Sequence, residues 1–163
     1  MSKVRLRLAL AVTLFATAAC TETASPPSAD AGAVEAQREA ENKETVLAFY
    51  EKAINEKNFE EAAQFLGDEY IQHNPSAADG AEGLRGFINF LRTEFPEQHN
   101  EIKHVYADGD FVILHVHSVR EPGTRGRAIV DIFRLDNGKV VQHWDVIQDI
   151  PDPSEARNSN GMF

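Results

Sequence analysis

Ala128-Ile129-Val130-Asp131-Ile132-Phe133-Arg134-Leu135 runs straight into Asp136-Asn137-Gly138-Lys139, and this stretch decides the reading of the chain. Strand alternation sets Asp131 in line with Ile129, Phe133 and Leu135, while Arg134 falls on the opposite row and needs solvent or a counter-charge. The Asn137-Gly138 pair favours a two-residue hairpin turn that fixes the register of the next strand. Pairing Asp136 with Lys139 and counting back predicts Asp131 opposite Trp144, on an inward face shared with Gln142, Val146 and Gln148. The same count sends His143 and Asp145 outward with Val130 and Ile132. A buried carboxylate without a partner is costly to ionise, so the inward face is a candidate site.

Further strands precede the hairpin. Residues 102–107, 110–119, 127–135 and 140–148 are rich in β-branched and aromatic side chains, and Asp108-Gly109 marks another tight turn. Upstream lie three helical patterns. Val46, Phe49, Tyr50, Ala53 and Ile54 form one stripe after a cap at Asn42. Asn58 with Glu61 has capping-box spacing ahead of a short second helix. Asp79 with Glu82 repeats that spacing before Leu84, Phe87, Ile88, Leu91 and Phe95, and Pro96 ends the pattern. Helices first and an antiparallel meander afterwards predict an α+β domain of about three helices packed on a curved sheet, spanning residues 42–151. A hollow between the layers suits a small molecule. Residues 152–163 carry no periodic pattern and are expected to form an irregular tail.

The start of the chain reads differently. Lys3, Arg5 and Arg7 precede the apolar run 8–16, and Ala18-Ala19-Cys20 closes it, the three-part layout of a secretory signal over residues 1–19. Small residues leading into a cysteine resemble a bacterial lipobox, although Thr17 stands where a leucine is usual. The resemblance implies cleavage before Cys20, lipid on its sulfur and a lipid-anchored protein on the periplasmic side of the cell envelope. Thr21, rather than an aspartate, resembles sorting to the outer membrane. Residues 20–41 read as the lipidated cysteine and a solvated tether. Cys20 is the only cysteine of 163 residues, so the domain has no disulfide and no cysteine metal site. The formal charge of −10 argues against nucleic acid as a partner. Dinucleotide glycine loops, phosphate-binding loops, zinc-protease helices and nucleophile elbows are absent from the sequence.

Three segments taken together, Tyr70-Ile71-Gln72-His73-Asn74-Pro75, the strand around Asp131 and His143-Trp144-Asp145-Val146-Ile147-Gln148, resemble the SnoaL-like branch of the nuclear transport factor 2-like superfamily. The resemblance implies a cone-shaped α+β barrel with one pocket at its open end. Characterised relatives include polyketide cyclases that perform intramolecular aldol condensation with a pocket aspartate as acid/base and no metal or other cofactor. Others are isomerases, dehydratases or plain ligand binders, and relatives often dimerise through the sheet. Fold alone therefore does not decide the chemistry.

On this reading Asp131 is the general acid/base for proton transfer next to a carbonyl group in a small apolar ligand. His73, at the mouth of the hollow, and His117 are the candidate partners in proton transfer. His115 shares a row with His117, and periodicity leaves open whether that row faces inward. Trp144, Phe133, Val146 and Gln148 are expected to line the ligand site beside His115. His73, His115, His117 and Asp131 are also the residue types of a two-histidine, one-carboxylate metal set, the less favoured reading. Val130, Ile132 and Ile147 suggest an apolar outer face and a homodimer.

Overall fold

The structure, a computed structural model, describes residues 29–163. Helix α1 spans Ala29–Tyr50 and continues through a π-helical turn, Glu51–Asn55. A short α2, Phe59–Ala62, and a 3-10 turn, Ala63–Phe65, lead into β1, Leu66–Gln72. Helix α3 spans Gly80–Glu94. Strands β2 (His99–Asp108), β3 (Phe111–Val119), β4 (Arg127–Asp136) and β5 (Lys139–Asp149) complete the domain. The sheet order is β1-β5-β4-β3-β2. The α+β class holds, but the sheet is mixed rather than wholly antiparallel, because β1 adds to it parallel to β5.

Two helix starts differ from expectation. Helix α1 begins at Ala29, so residues 29–41 are helical and not a loose tether. Their own i,i+3 and i,i+4 contacts, Arg38 to Glu35 and Gln37 to Glu41, support the helix. The β2–β3 turn also holds it: Arg38 pairs with Asp110, Glu39 accepts from the Gly109 N–H at 2.9 Å, and Asn42 Nδ2 donates to the Gly109 carbonyl at 3.2 Å. Asn42 is therefore a mid-helix tertiary contact and not a cap. Asn58 does cap α2, accepting from the Glu61 N–H at 3.3 Å. Asp79 precedes α3 but turns away from the usual capping bonds, and its Oδ1 accepts from the Gln72 N–H at 2.8 Å, tying the helix to the end of β1. That N–H holds the Asp79 carboxyl below the usual carboxylate range. The expected signal peptide 1–19, Cys20 and the start of the tether lie outside the described residues. Among the described residues, no helix is long and apolar enough to cross a membrane.

The core lies between the helices and one face of the sheet. Val46, Phe49 and Ala53 of α1 and its extension, with Leu84 and Ile88 of α3, pack on Val112, Leu114, Val116, Phe133 and Leu135. Each large apolar side chain buried in this way contributes about 1.5–3 kcal/mol. Val112, Leu114 and Val116 are fully buried, so β3 sends its even-numbered row inward. His115 and His117 consequently lie on the outer face, paired with Val130 and Ala128.

The hairpin forms where the sequence places it, with Asn137 and Gly138 at φ 49° and 71° and Asp136 opposite Lys139. The register then slips. Leu135 pairs with Val140, but Arg134 pairs with Gln142, leaving Val141 as an extra residue in β5. Such a bulge reverses which residues of one strand share a face with the other. Asp131 is opposite Asp145, and Trp144 is opposite Ile132.

Candidate functional site

The bulge at Val141 assembles the site. It turns His143, Asp145 and Ile147 onto the inner face with Asp131 and Phe133, and all five line a cavity of about 690 Å³ between the helices and the sheet. The apolar part of the wall comes from Phe49 and Ile54 of the first helical segment and from Leu84, Phe87 and Phe90 of α3.

Asp131, 5% exposed, is bonded on both oxygens. Its Oδ2 accepts from the Tyr50 hydroxyl at 3.2 Å, and its Oδ1 lies 3.0 Å from His143 Nε2. Tyr50 in turn accepts from Asn100 Nδ2 at 2.8 Å. Asn100 is gripped by Asn55 in the π-helical turn, through its N–H to Asn55 Oδ1 at 2.9 Å and its carbonyl from Asn55 Nδ2 at 3.1 Å. An irregular helical turn thus sets one end of the network. Burial first, and then the negative charge of Asp131, hold the Tyr50 phenol well above its ordinary pKa, so it remains a donor. Tyr70, also on the cavity wall, is raised for the same two reasons.

The protons on His143 follow from its neighbours. Its Nδ1 lies 3.1 Å from Gln72 Oε1, and that oxygen also accepts from the Asn74 backbone N–H at 2.9 Å. The Asn74 donor fixes the Gln72 atom as oxygen, so His143 Nδ1 must carry a hydrogen. The short contact between Nε2 and Asp131 then needs one more proton, on either partner. The pair is therefore an imidazolium beside a carboxylate or a neutral imidazole beside a carboxylic acid, and it stores one transferable proton.

Asp145 extends the cluster. Both its oxygens accept from Asn74 Nδ2, at 2.7 and 2.9 Å. Asp131, His143 and Asp145 each offer one atom to a common point, all within 4.8 Å of one another. This donor set suits a divalent cation. Such a cation would have to displace the proton shared by His143 and Asp131.

Of the residues singled out in the sequence, Asp131 and Phe133 line the cavity. His73 does not: it lies exposed on the outer face, stacked on Trp144 at 4.2 Å with its Nε2 3.3 Å from Gln142 Oε1. Trp144, Val146 and Gln148 face outward because the bulge turns them there. His115 and His117 are on the outer row of β3, where the tail folds back and puts the Phe163 ring 5.1 and 5.0 Å from them. His117 Nε2 is also 2.8 Å from the Arg125 carbonyl. A metal set of His73, His115, His117 and Asp131 is therefore excluded by the sheet between them. Sequence reasoning missed His143, Asp145, Tyr50 and Asn100. Tyr50 carried a usable signal, since a tyrosine on a buried helical stripe needs a partner for its hydroxyl.

The sequence profile of the SnoaL-like domain matches residues 46–143, a span that includes Tyr50, Asp131 and His143. The chain belongs to the SnoaL-like family. No curated protein matches the sequence. Solved structures similar to this SnoaL-like domain include TsrD from Streptomyces laurentii, with 21% identity and a TM-score of 0.56 over 66% of this chain and 88% of that one. A putative polyketide cyclase from Acidithiobacillus ferrooxidans has 20% identity and a TM-score of 0.55 over 66% and 87%. A putative SnoaL-like polyketide cyclase from Jannaschia sp. CCS1 has 20% identity and a TM-score of 0.56 over 68% and 87%. At these identities the likeness is one of fold, and it agrees with the cone-shaped barrel.

In long-range proton–nitrogen NMR spectra at neutral pH, His143 Nδ1 is expected to appear as a protonated nitrogen. A lone-pair signal at Nδ1 would overturn the shared-proton assignment.

Proposed function

We propose that the SnoaL-like domain binds a small, largely apolar carbonyl compound in its cavity and catalyses proton transfer of the aldol-condensation or cyclase type, with Asp131 as acid/base. The observation that carries this reading is the buried Asp131–His143 contact, 3.0 Å long, at the wall of a cavity of about 690 Å³. With the proton on His143, Asp131 is an ionised base able to take a proton from the carbon next to a carbonyl group. With it on Asp131, the same group is an acid that can return a proton to carbon or oxygen. Tyr50 and Asn100 orient the carboxylate and are positioning residues. Two of the similar solved structures bear the name putative polyketide cyclase, which supports this class of chemistry.

Proton transfer is testable without the natural substrate, by following deuterium exchange at the α-carbon of 2-tetralone in heavy water. The expected result is catalysed exchange by the domain and a loss of at least about 100-fold in Asp131→Asn. Exchange by Asp131→Asn equal to that of the unaltered domain would remove Asp131 from the role. Saturable binding of the ketone with no exchange above the uncatalysed rate would favour the second reading, a non-catalytic ligand-binding or scaffold module on the same fold.

The proposal also includes a homodimer and an envelope location. Tyr106, Phe111, Val130 and Val146 leave the outer sheet face with large exposed apolar side chains, which supports self-association through the sheet. Val146→Glu is expected to convert dimer to monomer in sedimentation velocity, and a monomeric unaltered protein would end the dimer proposal. The cationic start, apolar run and Ala18-Ala19-Cys20 support lipidation at Cys20 and a place on the periplasmic side of the outer membrane. Cys20→Ser is expected to lose metabolic palmitate label and move from the membrane to the soluble fraction. Unchanged labelling would rule the anchor out.

A further inference from the structure

The cavity has a second polar end, and nothing in the acid/base chemistry uses it. Arg127 pairs with Ser118 across β3 and β4, and both line the cavity with Arg120, which continues the inward row of β3. Gly126 lets the strands come together here: its φ is +74°, and an added Cβ would sit 2.3 Å from the Ser118 carbonyl oxygen. Two guanidiniums are thereby brought to one wall.

Neither guanidinium has a carboxylate. Among the described residues, no ion pair or side-chain hydrogen bond includes Arg120 or Arg127. Asp149, opposite Arg127 in the β4–β5 register, and Glu121, next to Arg120 in sequence, are not within ion-pair distance of either. Arg120 rests instead against Phe95 at 4.9 Å and Phe90 at 5.9 Å. Burial, and then the charge of Arg127, pull the Arg120 guanidinium below its ordinary pKa.

Orphaned donors gather at the same place. Ser118, 1% exposed, has an Oγ without a hydrogen-bond partner, and so does the buried Arg120 Nε. The third such atom, Gln98 Oε1, also belongs to a cavity residue but is an acceptor and stands outside the anion set. Leaving buried donors without partners is unfavourable. Two of them beside two guanidiniums that no carboxylate bonds call for an oxyanion.

Resting on the reading of the cavity as a ligand site, we infer that Ser118, Arg120 and Arg127 form a carboxylate subsite, and that the ligand is an apolar monoacid with its reactive carbonyl at the far end. Arg127 and Asp131 are four positions apart on the same face of β4, which places their Cα atoms roughly 13 Å apart. Between them the cavity is bounded by Ile129 and Ile147 on the sheet and Phe87 and Phe90 on α3, with the Tyr50–Asn100 pair along one side. A carboxylate at both ends is disfavoured, because Asp131 and Asp145 would repel the second one. The acid group therefore sets the direction in which the ligand enters.

Calorimetric titration of the protein with 4-(1-naphthyl)butanoate and with its primary amide tests this. The two probes share shape and differ in charge. The acid is expected to bind at least about tenfold more tightly than the amide, with a preference that weakens as salt is raised. Arg127→Gln and Arg120→Gln should each reduce that preference several-fold, and Arg127→Lys should keep part of it. Thermal unfolding checks that each variant is folded, and Ser118→Ala provides a milder test that leaves both charges in place. Equal binding of acid and amide, or an undiminished preference in both Gln variants, overturns the subsite and leaves the cavity reading standing. Saturable binding of neither probe overturns both.

Discussion

A carboxylate with almost no access to water must have its charge or its proton accounted for by neighbours, and the arrangement around Asp131 follows from that constraint. Three separate parts of the chain meet to satisfy it. Helix α1 supplies the Tyr50 hydroxyl, β5 supplies the His143 imidazole, and β1 supplies Gln72, which fixes the far side of that imidazole. Each supplier is held by something else: Tyr50 by Asn100, Asn100 by the π-helical turn, Gln72 by the backbone of Asn74. Removing a link would leave a buried polar group unpaired, at a cost of about 1–3 kcal/mol.

The same demand explains why β1 joins the sheet. Ile71 and Gln72 pair with Gln142 and His143, so the strand that orients the imidazole runs beside the residue it orients. Asp79 then ties the end of β1 to α3, and α3 closes the apolar side of the cavity. Fold and site are coupled through a short run of backbone.

Much of this was legible in the sequence because it is local. The alternation of β4 is intact, so Asp131 and Phe133 point where their spacing says, and the Asn137-Gly138 turn forms as its residue types require. The helical stripes of α1 and α3 face the sheet as their periodicity predicts. The placement of β5 was not legible. Val140 and Val141 look like two ordinary strand residues, and nothing in their identity says that one of them is unpaired. That single surplus residue carried Trp144, Val146 and Gln148 to the outer face and His143 and Asp145 to the inner one. His115 and His117 posed a different difficulty, since both rows of β3 are apolar and only packing against α1 and α3 chooses between them. His73 reads as a residue of the cavity mouth from its place before Asn74-Pro75, but it stacks on Trp144 on the outer face. The extension of α1 to Ala29 depends on contacts with Asp110 and Gly109, some seventy positions away, which composition cannot reveal.

The surplus residue at Val141 has a consequence for how sequences of this kind can change. Point substitutions alter one side chain at a time and leave the pleat as it is. Losing a single codon between the turn glycine and His143 would exchange the row that β5 gives to the cavity for the row it gives to the exterior, delivering an indole and two amides where an imidazole and a carboxylate had been. In this hairpin, length is the variable that selects between two different chemical surfaces, and a one-residue indel is the smallest step between them.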